Sequence, residues 1–356
     1  MTTVAQDKSN PVLSLRWENG EFFILDQTRL PAEVTEIRME SSAQVWEAIK
    51  QLRVRGAPAI GIAGAYGLLV GLMASRNQPL GDFLEKLEEQ ASYLNSSRPT
   101  AVNLSWSLRR MKDFAASQSE RVGSSAQLYD LLVTEAISIH NEDKAICRAI
   151  GENGVGLIRE GMGVLTHCNA GALATSELGT ATAPLYLAHA RGTRFRVYAD
   201  ETRPLLQGAR LTTWELQRAG LDVTLICDNM AAFVMSKGLV DICIVGTDRV
   251  AANGDTANKI GTLGVAIIAR HYNIPFYVAC PSSTIDLATS DGSGIVIEER
   301  EADEVLHFGA RRTGPVGAKV RNPAFDVTPH ELIAGFISDQ GIIRPPYVTT
   351  LVRNFG

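Results

Sequence analysis

Cys168 stands in the stretch Gly163–Gly171, GVLTHCNAG, where a cysteine is placed to react. Gly163-Val164-Leu165-Thr166 is short, apolar and β-branched and reads as a buried strand. Asn169-Ala170-Gly171 is turn chemistry, and Ala172 to Thr175 reads as the start of a helix. A thiol between a strand end and a helix N-terminus meets free backbone N–H groups and the positive end of the helix dipole. Both favour thiolate over the ordinary thiol, whose pKa is about 8.5. Most free cysteines are simply buried, so position alone leaves both readings open. Asp248 is the second candidate. It follows the apolar run Ile242-Cys243-Ile244-Val245-Gly246. That predicts a carboxyl over a low-dielectric floor, holding its proton near neutral pH through desolvation. An acid there facing a thiolate at Cys168 would form a donor–acceptor pair for moving protons. His167 adjoins Cys168, but consecutive strand residues point to opposite faces, so it is read as a core residue or as a support behind the site, and not as the base for Cys168. The other five histidines show no metal-ligand spacing.

Two stretches suit a phosphate. Arg55-Gly56-Ala57-Pro58-Ala59-Ile60-Gly61 sets a glycine and a helix-starting proline beside an arginine, and backbone N–H groups would point into the corner. A plain helix–helix turn is the alternative. Asn258 and Lys259, after the turn Asn253-Gly254-Asp255, are expected to open a helix, joining a cation to a helix N-terminus. Arg98 lies in the loop Ser97-Arg98-Pro99-Thr100 as an exposed arginine, with a surface salt bridge as its alternative role. No GxxxxGK[ST] is present, and no GxGxxG follows a strand, so the nucleotide-loop readings are rejected.

These residues need elements to hold them. Residues 12–30 read as a hairpin turning at Asn19-Gly20, and a helix from about Ala43 carries a capping box at Ser41–Gln44. Helical patterns cover 81–96, 104–116 and 125–159. From Gly163 the pattern changes to strand, loop, helix. Strands are expected at 164–166, 195–199, 222–227, 241–245 and 275–279, with helices at 172–190, 210–219, 231–238 and 258–271. Such alternation implies an α/β fold with a parallel sheet covered on both faces. Ligands bind beyond the carboxyl ends of such strands. Those ends carry Cys168, Asp200, Glu201, Asp228, Asp248 and Cys280, of which Asp200 and Asp228 read as helix caps.

With 356 residues, 45% hydrophobic and 21% charged, the chain suits a soluble protein of two domains. A net charge of −5 argues against nucleic-acid binding and leaves no basic patch for a membrane. MTTVAQDKSN is polar with no signal-like core. The apolar run Ile60–Ala74 is broken by four glycines and falls short of the about 20 residues a bilayer span needs. Five scattered cysteines without a CxxC pair exclude a tidy disulfide framework and point to a reducing cytoplasm.

As a set, RGAPAIG at 55–61, THCNAGALAT at 166–175, DETRPLLQGARLT at 200–212, DNM at 228–230, GTDRVAANGDTANKIGT at 246–262 and NPAFDVTP at 322–329 closely resemble the methylthioribose-1-phosphate isomerase family. The resemblance runs over nearly the whole chain. It implies a mainly helical N-terminal domain with a small β-hairpin, residues 1–125, then a Rossmann-like catalytic domain, residues 126–356, and a homodimer. It implies interconversion of 5-methylthioribose 1-phosphate and 5-methylthioribulose 1-phosphate in methionine salvage, with neither metal nor nucleotide cofactor. Carried onto this sequence, the catalytic cysteine is Cys168 and the catalytic aspartate Asp248. Substrate contacts fall on Arg55, Gly56, Ala57, Arg98, Gln207, Asn258 and Lys259. Ribose-1,5-bisphosphate isomerase shares the fold and the cysteine–aspartate pair but needs a second anion site at C5. Non-catalytic regulatory subunits of the eukaryotic translation-initiation exchange factor share the architecture without needing those residues. A nicotinamide-dependent oxidoreductase would need the missing glycine fingerprint.

Overall fold

The computed structural model describes residues 11–99 and 101–356. The polar stretch 1–10, and Thr100 of the Arg98 loop, lie outside the described residues. Two compact units form: Val12–Ala145 with Ala172–Gly179, and Ile146–Gly171 with Thr180–Gly356. The division expected at 125/126 coincides with the start of a 30-residue helix whose residues up to Ala145 group with the first unit.

In the first unit, β1 (Leu15–Glu18) and β2 (Glu21–Leu25) make the expected hairpin. Asn19 and Gly20, at φ 53° and 80°, supply the two left-handed residues that a tight two-residue turn requires. A third strand, β3 (Glu36–Met39), pairs with β2. Helix α1 (Ser42–Lys50) is capped by Ser41, whose Oγ accepts from Gln44 N, while Gln44 Oε1 accepts from Glu40 N. Helix α2 (Ala57–Leu72) is followed by α3 (Leu80–Asn95), α4 (Val102–Ser119) and α5 (Ser125–Gly154). With its terminal turn, Ala57–Ser75 spans 19 residues at mean hydropathy 1.7, longer than the sequence count suggested and apolar enough for a bilayer by composition. Its side chains are spent on the core instead: Ile60, Tyr66, Leu68 and Leu69 are buried. Glycines allow this packing. A Cβ at Gly64 would stand 2.5 Å from Leu104 Cδ1, and one at Gly67 2.6 Å from Val45 Cγ1.

The helix expected over 172–190 does not form as one piece. A single tight turn covers Ala172–Ala174, and helix α6 runs only from Ala183 to Ala190. The backbone of the intervening segment finds partners other than its own turns. Gln27 Nε2 donates to Leu173 O, Ser14 Oγ to Thr175 O, and Ser176 N to Asp143 Oδ2. Thr175, Ser176, Gly179 and Thr180 are also poor helix formers.

The second unit holds β4 (Gly163–Thr166), β5 (Arg196–Asp200), helix α7 (Thr213–Arg218), β6 (Asp222–Ile226), α8 (Ala231–Ser236) and β7 (Ile242–Val245). Next come β8 (Arg249–Ala251), β9 (Thr256–Lys259), α9 (Thr262–His271), β10 (Phe276–Ala279) and β11 (Ile285–Asp286). The short α10 (Asp303–Leu306) and the ladder β12 (His307–Phe308) with β13 (Arg311–Arg312) precede β14 (Phe325–Thr328). The chain ends with β15 (Gly335–Ser338), β16 (Gly341–Ile343) and α11 (Tyr347–Phe355). The main sheet has the order β16-β15-β10-β7-β4-β5-β6, parallel except for β16. Leu165, Val245, Val278 and Phe336 lie in its core. A second sheet, β11-β8-β9-β14, was not foreseen. Asn258 and Lys259 lie in its strand β9 and not at a helix start.

A buried neutral histidine ties the first unit together and makes it acid-sensitive. Tyr66 OH and His140 Nδ1 are 2.9 Å apart, and burial, with the Lys144 charge adding to it, lowers the His140 pKa to about 4. Between pH 6.5 and 4 the unfolded chain binds the extra proton, so stability falls as pH falls through that window, by up to ~3 kcal/mol in all. Urea unfolding at pH 7, 5.5 and 4.5 should show this slope, and His140→Gln should flatten it.

Candidate active site

The order of the main sheet reverses at β4: β5 and β6 extend to one side of it, β7 and β10 to the other. In an open α/β sheet the crevice outside the carboxyl ends at this reversal is where ligands bind. Cys168 follows the last residue of β4, Thr166, by two positions, and Asp248 follows the last residue of β7, Val245, by three. The two loops lie against each other. A Cβ at Gly246 would stand 2.4 Å from the Cβ of Ala170, so only a glycine lets the β7 loop settle there.

Cys168 is buried and its backbone is left-handed, at φ 64°. Thr202 at φ 64° and Leu206 at φ 59° share that conformation on the loop after β5. Such a backbone costs each non-glycine residue about 1–3 kcal/mol and is an outlier for a β-branched threonine. Cys168 N donates to Thr202 Oγ1 at 2.8 Å, and Thr212 Oγ1 donates to Cys168 O at 2.6 Å. Asn169 Nδ2 donates to the same Thr212 hydroxyl at 3.0 Å. Asp228 braces Thr202 from behind, its two carboxylate oxygens accepting from Thr202 N and Arg203 N at 2.7 Å each. Asp228 thus closes the turn after a neighbouring strand and does not cap a helix of its own. The helix N-terminus expected beside Cys168 is absent, because the next α-helix is α6 from Ala183. Hydrogen-bonded strain, not a helix dipole, defines this cysteine's setting. Cys243 and Cys280 are fully buried, and burial pushes both thiols far up.

His167 is in the core, as expected, but it is not idle. Its Nε2 is 2.9 Å from Ile260 O and its Nδ1 2.9 Å from Asp200 Oδ2. Burial opposes a charge on His167, yet the adjacent Asp200 carboxyl outweighs it and raises its pKa. Burial also raises Asp200, with His167 pulling the other way. Asp200 is therefore one half of a buried pair and not the helix cap expected. His167, Asp200 and Asp228 present atoms close enough to hold a metal. Both ring nitrogens and both Asp228 oxygens are already engaged with protein groups.

Gln207 begins a π turn over Gly208–Thr212, a geometry frequent at functional sites. Its Oε1 is buried and accepts no hydrogen bond among the described residues, the state of a carbonyl that a ligand hydroxyl could satisfy.

Asp248 departs from expectation. It is exposed, not set over a dry floor. The apolar run ends with β7, and the chain then leaves the main sheet for the hairpin of β8 and β9, where Asp248 N donates to Ala257 O at 3.0 Å. The desolvation suggested for its carboxyl is thus missing. Lys259 is buried, with Nζ donating to Ala324 O at 2.9 Å and lying 4.6 Å from the Phe325 ring centroid. Asn258 Nδ2 donates to Thr262 Oγ1 at 3.0 Å. Two N–H groups at the start of α9 are taken: Asp326 accepts from Gly261 N and Leu263 N. The anion cradle expected at that helix start is therefore filled by a carboxylate. NPAFDVTP supplies Ala324, Phe325 and Asp326 to this arrangement.

Arg55, Gly56, Ala57 and Arg98 belong to the first unit, and the other candidates to the second. Helix α2 starts as foreseen, with Gly56 as N-cap at φ 91°, proline in the first turn and no side chain capping it among the described residues. A Cβ at Gly56 would stand 2.3 Å from Ala174 O, so glycine is required. Arg98 is half-buried, less exposed than its loop suggested.

A model of the initiation factor 2 subunit family matches residues 53–345. The chain belongs to the initiation factor 2 subunit family. Within it, the 5-deoxyribose 1-phosphate isomerase of Moorella thermoacetica is 54% identical, covering 96% of this chain and 97% of that one. The methylthioribose-1-phosphate isomerase of Symbiobacterium thermophilum is 55% identical, covering 93% and 92%. Among solved structures, 5-methylthioribose 1-phosphate isomerase from Pyrococcus horikoshii OT3 superposes with a TM-score of 0.93 at 42% identity, covering 98% and 97%. The translation initiation factor eIF-2B subunit delta from A. fulgidus superposes at 0.90 with 41% identity, covering 97% and 99%.

Thr202 and Thr212, which brace Cys168, were not singled out by the sequence reading, since a hydroxyl's partner across loops leaves no pattern in spacing. Thr202→Val keeps the branched shape and removes the acceptor of Cys168 N. Leaving that buried N–H unpaired should cost ~1–3 kcal/mol in urea unfolding and change the reactivity of Cys168 toward iodoacetamide.

Proposed function

We propose that the chain interconverts 5-methylthioribose 1-phosphate and 5-methylthioribulose 1-phosphate. The coarser reading, isomerisation of a sugar 1-phosphate from aldose to ketose, is supported by relatives of that activity that align over more than nine-tenths of both chains. The observation that carries it is the position of Cys168 and Asp248 on the two loops flanking the reversal of strand order. A purely regulatory member of the family would have no use for a cysteine held in a strained turn there.

The chemistry follows from the substrate. Phosphate on the anomeric oxygen prevents ring opening to a free aldehyde. The bond from C1 to the ring oxygen must break while that oxygen gains a proton. The hydrogen on C2 moves to C1, and the C2 hydroxyl gives up its proton to become the ketone. No atom is gained or lost. In this proposal Asp248 relays the proton between the C2 hydroxyl and the ring oxygen, and an exposed carboxyl on a loop can reach both. Cys168 serves the transfer from C2 to C1. Gln207 Oε1 accepts from a sugar hydroxyl. Lys259 and Asn258 hold the phosphate and the charge that develops during reaction, and Arg55, Arg98, Gly56 and Ala57 are proposed as substrate contacts on the sequence resemblance alone. The protein is proposed to work as a cytoplasmic homodimer.

The relatives named for 5-deoxyribose 1-phosphate favour one second reading, in which a hydrogen replaces the methylthio group on C5. Neither sugar carries charge at C5, which disfavours ribose 1,5-bisphosphate. Turnover of the three sugars side by side, without added metal or nucleotide, tests the assignment. The expected result is the highest kcat/KM for 5-methylthioribose 1-phosphate and the lowest for the bisphosphate. A higher value for 5-deoxyribose 1-phosphate would reassign the substrate. Cys168→Ser and Asp248→Asn should each abolish turnover with the circular dichroism spectrum unchanged, and near-normal turnover by either removes that residue from the mechanism. Lys259→Ala should raise KM more than it lowers kcat.

A further inference from the structure

We infer that His167 and Asp200 form a positioning pair, which holds the Cys168 turn in register with the Gln207 loop and with the Lys259 strand end. The inference rests on the proposal that Cys168 is catalytic. His167 precedes Cys168 directly. Its imidazole reaches Asp200 on the end of β5 and Ile260, the residue after Lys259. One buried ring thus links three of the four segments that carry candidate groups of the second unit, the Asp248 loop being the fourth. The ring has little room to shift. A Cβ at Gly261, whose φ is +106°, would stand 2.7 Å from His167 Cε1, and a Cβ at Gly208 would stand 1.7 Å from Asp200 O. Oδ1 of Asp200 is buried and accepts nothing among the described residues, so the contact with His167 is what satisfies that carboxyl.

Proton counting fixes what the pair needs. A carbonyl only accepts, so Nε2 must carry a hydrogen toward Ile260 O. One further proton must then lie between Nδ1 and Oδ2, whichever atom carries it. Asp228, Glu201, Asp326 and Cys243 are the other titratable groups that act on the pair.

Two substitutions separate positioning from packing and from charge. D200N places an amide N–H where the shared proton was, so a neutral His167 keeps both hydrogen bonds. H167F keeps a ring in the same space and loses both. The readouts are kcat and KM, and the pH profile of Cys168 alkylation by iodoacetamide, followed by peptide mass spectrometry. D200N is expected to stay near wild type in kcat and alkylation. H167F is expected to lose roughly 100-fold in kcat, the effect of a misplacement near 1 Å, with a raised KM and a displaced alkylation profile. Wild-type behaviour of H167F overturns the inference, as does a D200N variant as impaired as H167F. If H167F does not fold, H167Q, which keeps the donor toward Ile260 and loses the link to Asp200, replaces it under the same criteria. Alkylation needs no substrate. A protein that fails to isomerise 5-methylthioribose 1-phosphate, while its variants differ in alkylation as described, would sink that substrate assignment and leave this inference standing.

Discussion

The hydrogen bond from the backbone N–H of Cys168 to the hydroxyl of Thr202 joins two residues that both hold an unfavourable left-handed backbone. Neither conformation would persist in an isolated loop, since each costs about 1–3 kcal/mol. Persistence requires surroundings that fix them, and those are at hand. Thr212 donates to the Cys168 carbonyl, and Asp228 accepts from two consecutive N–H groups at Thr202 and Arg203. A buried hydrogen bond contributes only about 0.5–1.5 kcal/mol net, so several must act together to offset the strain. A thiol held this way has a defined direction before any ligand arrives.

Direction matters because of where the turn lies. Sheet topology puts the loops after β4 and β7 on either side of the strand-order reversal, and the bare backbone of Gly246 lets them meet at Ala170. The second sheet then continues from the β7 loop. Its strand β9 delivers Asn258 and Lys259 and pairs with β14, whose flanking residues hold the Lys259 ammonium and close the start of α9. Cations and acids here are positioned by strand ends and short turns. Helix dipoles contribute less than expected beside Asn258 and Lys259, because a carboxylate already accepts from two N–H groups at the start of α9.

Much of this was legible in the sequence, and the failures have physical causes. Apolar runs marked β4, β5, β7 and β10, since buried parallel strands carry a strong signal, and Val223, Thr224 and Ile226 marked the more exposed edge strand β6. Strand β9, with the sequence TANK, has no such signal, because its two-sided burial comes from tertiary packing around polar side chains. Its misassignment moved Lys259 from a strand end to a helix start. The segment after Cys168 looked helical because Ala172-Leu173-Ala174 favours a helix, but Ser14, Gln27 and Asp143 capture its backbone from far away in the chain. Asp248 was set over an apolar floor by its neighbours in sequence, whereas the strand stops before reaching it. The sequence placed Cys168 and Asp248 just beyond the ends of β4 and β7, where the structure has them, but the hydroxyls and the buried His167–Asp200 pair around Cys168 left no pattern in it.

The central claim is that Cys168 is the reacting thiol at a site for a sugar 1-phosphate. It is tested most directly by mapping iodoacetamide labelling across the five cysteines with and without 5-methylthioribulose 1-phosphate. Cys227, the exposed thiol, serves as the internal control. The account predicts that Cys168 is labelled in the free protein despite its burial and is protected by the sugar phosphate, while Cys227 labelling is unchanged. A Cys168 that stays unlabelled, or that labels equally with and without the sugar phosphate, would contradict it.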